Sequence, residues 1–116
     1  RRCCFATDDR APSDALSTGM IDNACRVAIE AGIDPVVAIS MASLSTAEAF
    51  GLDHGCRDPH ELRGAIAPGK CADLLVVNGD VAADIHVLNT DNMDVIMKDG
   101  WIVEAGTFGE ANKYSA

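Results

Sequence analysis

The chain lacks an excess of positive charge. Lys and Arg number 9 against 18 Asp and Glu, a formal net charge of −9, and like charges repel, so a nucleic-acid backbone and an anionic membrane are excluded as main partners. It lacks any apolar run near the roughly 20 residues a membrane-spanning helix needs, and its start, "RRCCFATDDR", has neither the long apolar stretch nor the cleavage site of a secretory signal. Cytoplasmic residence is the expectation. It also lacks CxxC spacing: Cys3, Cys4, Cys25, Cys56 and Cys71 are odd in number and scattered. Such a set suits a reducing compartment and free, mostly buried thiols better than a disulfide framework. Repeats and low-complexity tracts are missing too, and so is an initiating Met, which points to a piece of something larger.

What remains is globular in character: 116 residues, 48% of them hydrophobic, enough for one domain with a modest core. Residues 3–7, "CCFAT", read as a buried strand with Cys3 and Cys4 on opposite faces, and the strand runs directly into the adjacent carboxylates Asp8 and Asp9. "RAPSDALSTG" reads as a surface loop. From Met20 to Ala31, Ile21, Ala24, Cys25, Ala28 and Ile29 recur at helical spacing, with Asn23, Arg26 and Glu30 left for water and Gly32 as the stop. Asp34 followed by Pro35 announces a helix to about Ala42. Ser45 and Glu48 stand at capping-box spacing for a further piece ending at Gly51.

The polar stretch 53–64 breaks this pattern and marks a module boundary. Beyond it the period shortens. "CADLLVVNGD" and "DIHVLNT" read as strands, and "MDVIMKDGWIVEAG" as two strands joined at Asp99-Gly100, a pair suited to the positive φ of a type I′ turn. Trp101 and Ile102 are expected to pack in that sheet and His86 to sit on its outer side. The tail from residue 107 shows no pattern. Three further features invite chemistry. His54, Cys56 and His60 carry zinc-type ligands but match no zinc spacing, and read as a polar insertion. "GAIAPGK" has Gly64 and Gly69 at P-loop spacing, yet Cys71 stands where Ser or Thr would hold Mg²⁺ and no helix follows, so a turn is the reading. Asp8-Asp9, taken alone, suits a turn or helix cap as well as catalysis.

Taken in order, "ATDDRAP", the block "GMID" through "AEAFGL", and "GAIAPGKCADLLVV" with "DVIMKDGWIV" resemble the C-terminal part of adenine deaminases of the amidohydrolase superfamily. The resemblance implies an α/β plus β fold. Residues 1–58 would be the last strand and closing helices of a (β/α)8 barrel, residues 59–106 the C-terminal share of a small β-sandwich, and residues 107–116 a tail. It implies that Asp8 sits at the rim where such barrels keep their active sites, as metal ligand and acid/base. Asp9 and Arg10 would then be substrate-side residues, and Ala11 stands where the family often has His. The implied cofactor is a divalent metal, manganese, iron or zinc, and the implied reaction converts adenine and water to hypoxanthine and ammonia.

The histidine and bridging ligands of that metal site have no counterpart among these residues, and one Asp does not hold a catalytic metal. The isolated chain is therefore expected to be inactive. Its expected partner is the upstream barrel portion of the same enzyme or a self-pairing copy. Another cyclic amidohydrolase or an N-acyl deacetylase fragment remains an alternative, as does a non-catalytic interaction or dimerisation protein exposing an orphan strand edge.

Overall fold

The computed structural model describes residues 3–54 and 62–105. Helix α1, Pro12–Thr18, occupies the segment expected to be a loop. Ala11 is extended at φ −64° and ψ 145°, Pro12 takes the first turn, where its missing N–H costs nothing, and Asp14 sits near the positive end of the helix dipole. Gly19, at φ 89°, ends it. Those local signals outweigh the Ser- and Asp-rich composition, although α1 buries none of its residues.

Helix α2, Ile21–Glu30, follows its expected span and buries Cys25 and Ala28, one turn apart on one face. The N–H of Gly32 returns to the carbonyl of Ile29 at 2.9 Å and that of Ile33 to Ala28 at 3.0 Å, closing the end through a glycine at φ 94°. Helix α3, Pro35–Ala42, starts as expected, with the Asp34 carboxylate accepting from the Val37 N–H at 3.1 Å. Its Ala38 is fully buried, and the Cys25 thiol reaches the Ala38 carbonyl at 3.7 Å, tying α2 to α3. Helix α4, Leu44–Ala49, begins at Ser43, not at a capping box on Ser45. The Ser43 hydroxyl bonds the carbonyl of Ile39 in the preceding turn, and Ser45 lies inside the helix.

Residues 3–7 form no ladder. Among the described residues this extended segment has no strand to pair with, and its cross-element backbone bond is Phe5 N–H to the Met41 carbonyl, 3.0 Å. Cys3 and Cys4 are consequently exposed, against the expectation that they are buried. Among the described cysteines only Cys25 is buried, and Cys71 is half-buried. Cys56 and His60 lie outside the described residues, as does the expected tail.

The chain crosses between modules through a closed neck. Arg63 N–H bonds Leu52 O at 2.7 Å, and the Lys70 ammonium donates to the carbonyls of both Asp53, 2.8 Å, and Arg63, 3.1 Å. Gly64 lies so close to α4 that a Cβ there would sit 2.6 Å from the Ala47 Cβ. The second module is an antiparallel sheet ordered β1 (Leu74–Val77), β2 (Met93–Lys98), β3 (Trp101–Ala105). Leu74 faces Met97, and Met97 faces Ile102, with one irregularity in each pairing. The β2–β3 hairpin turns at Asp99 and Gly100, φ 52° and 81°, as the Asp-Gly pair required.

The segment "DIHVLNT" is not a strand. Asp84 caps the His86 N–H and Asn89 those of Asp91 and Asn92, so two short 3₁₀ turns, Ile85–Val87 and Thr90–Asn92, replace the ladder. His86 is exposed on the first of these turns, 3.9 Å from Glu30. Ile85, only 5% exposed, packs against α2. It is the one bulky aliphatic in a described core otherwise made of Cys25, Ala28, Ala38 and Ala47. Trp101 is 73% exposed and Ile102 41%, contrary to expectation. β3 is an edge strand, and nothing else in the described residues covers that end of the sheet.

Candidate functional site

Asp8 leaves the extended segment at φ 47°, a left-handed backbone that non-glycine residues seldom adopt and that Asp tolerates better than most. Such conformations concentrate at turns and functional sites. Asp8 and Asp9 are exposed and Arg10 is half-buried. The Arg10 guanidinium does not turn back on its own carboxylates: it donates to the Thr18 hydroxyl at the end of α1, 2.5 Å away. That hydroxyl donates in turn to the Asp14 carbonyl at 2.9 Å.

The Thr18 carbonyl is held from the other side by Arg26 Nη2 at 2.9 Å. Arg26 also pairs with Asp22 one turn earlier on α2, 2.5 Å, and its Nη1 reaches the Leu88 carbonyl of the second module at 3.2 Å. Burial would raise the Asp22 carboxyl, but the Met20 N–H and the Arg26 guanidinium prevail and hold it below the ordinary carboxylate value. Asp8, Asp9 and Arg10 were legible as candidates. Thr18 and Arg26 were not, since Arg26 reads as a water-facing position and only its spacing from Asp22 hints at a pair.

A second group of ionisable side chains lies at the hairpin. Cys71, Asp73 and Asp99 bring ligand-type atoms within 4.8 Å of one another. The group is already neutralised from within the chain: Arg63 bonds Asp73 and Asp99, each at 3.0 Å, and Lys98 bonds Asp73 at 3.1 Å and Asp99 at 3.0 Å. The Asp99 N–H donates to Asp73 at 2.8 Å, which fastens the turn to the start of β1. The Cys71 thiol beside Asp99, with Lys98 and Arg63, brings that carboxyl down to about 2, while Asp99 pushes the thiol up. The arrangement is a brace for the hairpin. His54, from the other His-Cys cluster, pairs with its neighbour Asp53. The "GAIAPGK" turn leads into β1, with Lys70 occupied by two carbonyls.

Residues 2–103 match the Amidohydrolase family, and the chain belongs to it. Within that family its likeness is to adenine deaminases. It is 51% identical over 78 residues to the adenine deaminase of Nitratidesulfovibrio vulgaris strain DP4, which covers 67% of this chain and 12% of that protein. It is 49% identical over 86 residues to that of Oceanobacillus iheyensis, covering 74% and 13%. With that of Desulfatibacillum aliphaticivorans it shares 48% over 101 residues, covering 86% and 16%. The chain thus spans well under a fifth of the length of these curated relatives. No solved structure matches it.

A divalent metal is implied by this family. Asp8 belongs to no described group of three metal-ligating side chains, so the described residues do not make up the donor set of such a site. Among the described residues, no helix is long and apolar enough to cross a membrane.

Proposed function

We propose that this chain is the C-terminal segment of a cytoplasmic, metal-dependent amidohydrolase that deaminates adenine to hypoxanthine. On this reading residues 1–58 form the last strand and closing helices of a (β/α)8 barrel, and residues 59–106 contribute to a small β-sandwich. The observation that carries the reading is the 51% identity over 78 residues to an adenine deaminase. The exposed apolar side chains agree with it. Val36, Leu75, Val76, Trp101 and Val103 are each about half exposed or more, surface that an upstream barrel portion would cover.

In the complete site a manganese, iron or zinc ion would activate water. Asp8, at the strand end, would bind the ion and carry a proton from that water to the departing amine. Arg10, a fork of donors, would meet acceptor nitrogens of the purine ring, and Asp9 would order the same turn. The isolated chain, with one such carboxylate, would be inactive.

The test is an adenine-to-hypoxanthine absorbance assay on the enzyme assembled with its upstream barrel, whether one longer polypeptide or a complex, together with metal analysis. Asp8→Asn should lower kcat by about 10²-fold or more, on the scale of a lost general acid/base. An assembled, metal-loaded enzyme that turns over adenine as fast with Asn as with Asp at this position would overturn the assignment.

A further inference from the structure

We infer that Thr18 and Arg26 are positioning residues for Arg10, holding its guanidinium in place before the purine arrives. The inference rests on the reading of Arg10 as a substrate-side residue. An arginine side chain loses much rotamer freedom when it is fixed, and a site that has already fixed it binds more tightly than one that must do so on each encounter. A single bond to an exposed hydroxyl would do little if that hydroxyl were itself mobile. Thr18 is not free to move in that way.

Its hydroxyl accepts from Arg10 Nη2 at 2.5 Å while donating to the Asp14 carbonyl at 2.9 Å, which orients the oxygen. Its carbonyl is taken by Arg26 Nη2 at 2.9 Å. Arg26 is only 18% exposed, and it is fixed on α2 through Asp22 and on the second module through the Leu88 carbonyl. The following residue, Gly19, is pressed onto the same ion pair. At φ 89°, a Cβ there would lie 2.3 Å from an Asp22 carboxylate oxygen and 2.8 Å from Arg26 Nη2. The turn that carries Thr18 is thus clamped at its hydroxyl, its carbonyl and its next residue, and Arg10 is the group that benefits at the Asp8–Asp9 end.

The experiment is steady-state kinetics with adenine on the assembled enzyme, comparing Thr18→Val, which keeps the shape and removes the hydroxyl, with Thr18→Ser, which restores it. Thr18→Val should raise KM about three- to tenfold, the range of one exposed charge-assisted hydrogen bond, with kcat within about twofold. Thr18→Ser should return KM to within about twofold of the parent. Arg26→Lys should raise KM in the same way, because one ammonium does not span Thr18, Asp22 and Leu88 together. If Thr18→Val leaves KM unchanged while Arg10→Met raises it, the positioning role is refuted and Arg10 keeps its place in the site. If Arg10→Met is silent as well, the substrate-side reading of Arg10 falls and takes the inference with it. A loss in kcat that Ser does not rescue would show a structural defect and also refutes it.

Discussion

Ile85 is the residue on which the packing account is most exposed to test. The described core is built from small side chains, and Ile85, at 5% exposure, is the one bulky aliphatic among them, on the 3₁₀ turn that packs against α2. Ile85→Ala removes Cγ1, Cγ2 and Cδ1. At about 0.8 kcal/mol for each buried carbon the transfer loss is about 2 kcal/mol, and the cavity left beside α2 brings the expected cost to about 3 kcal/mol, inside the range of about 2–5 seen for such truncations. For a chain whose whole stability is expected near the lower end of about 5–15 kcal/mol, that is a large share. Urea denaturation followed by helical circular dichroism should show the midpoint falling by more than about 1 M at ordinary m-values. Ile85→Val should cost about 1 kcal/mol. Leu16→Ala, at a position 90% exposed on α1, should stay within about 0.5 kcal/mol. If Ile85→Ala and Leu16→Ala unfold at the same midpoint, Ile85 does not pack against α2 as described.

Two further outcomes are expected. Asp34→Ala removes the side chain that accepts from Val37 N–H and should cost about 1 kcal/mol by the same urea assay; a loss below about 0.3 kcal/mol would show that the cap contributes nothing to α3. For Asp99, the Cys71, Lys98 and Arg63 contacts bring the folded carboxyl to about 2, below its ordinary value of 3.8. Its contribution to the hairpin is therefore complete above about pH 4 and is lost as pH falls through about 2. A carboxyl ¹³C titration should find that low midpoint, and one near 3.8 would mean that the Cys71, Lys98 and Arg63 contacts do not persist in solution.

Helices α2 and α3 and the hairpin were legible because their signals are local: apolar spacing around Cys25 and Ala28, Asp34 before Pro35, Asp99 before Gly100. Helix α1 was misread since a short helix that buries nothing shows no apolar period, and only Pro12 and Gly19 bracket it. The "DIHVLNT" segment has strand composition, but Asp84 and Asn89 offer its backbone nearer partners than a neighbouring strand. Burial of Cys3 and Cys4 rests on the alternation of strand faces and that of Trp101 on packing within a sheet, and both presume neighbours on either side. At the site, Asp8, Asp9 and Arg10 stood out through resemblance. The link from Arg10 through Thr18 to Arg26 runs in steps of eight residues that match no helical or strand period, and its last step, from Arg26 to Leu88, spans 62.

The neck around Lys70 bears on how such chains tolerate change in length. The chain leaves the helical module at Leu52 and Asp53 and re-enters at Arg63, and both ends are fastened by the Arg63 N–H on Leu52 and by the Lys70 ammonium on Asp53 and Arg63. These bonds are made by residues on either side of positions 55–61. Lengthening a connection across ends already joined costs only about 0.6 kcal/mol for each doubling of its length. Insertions and deletions between natural variants should therefore gather between positions 54 and 62, leaving α4 and β1 in register on either side.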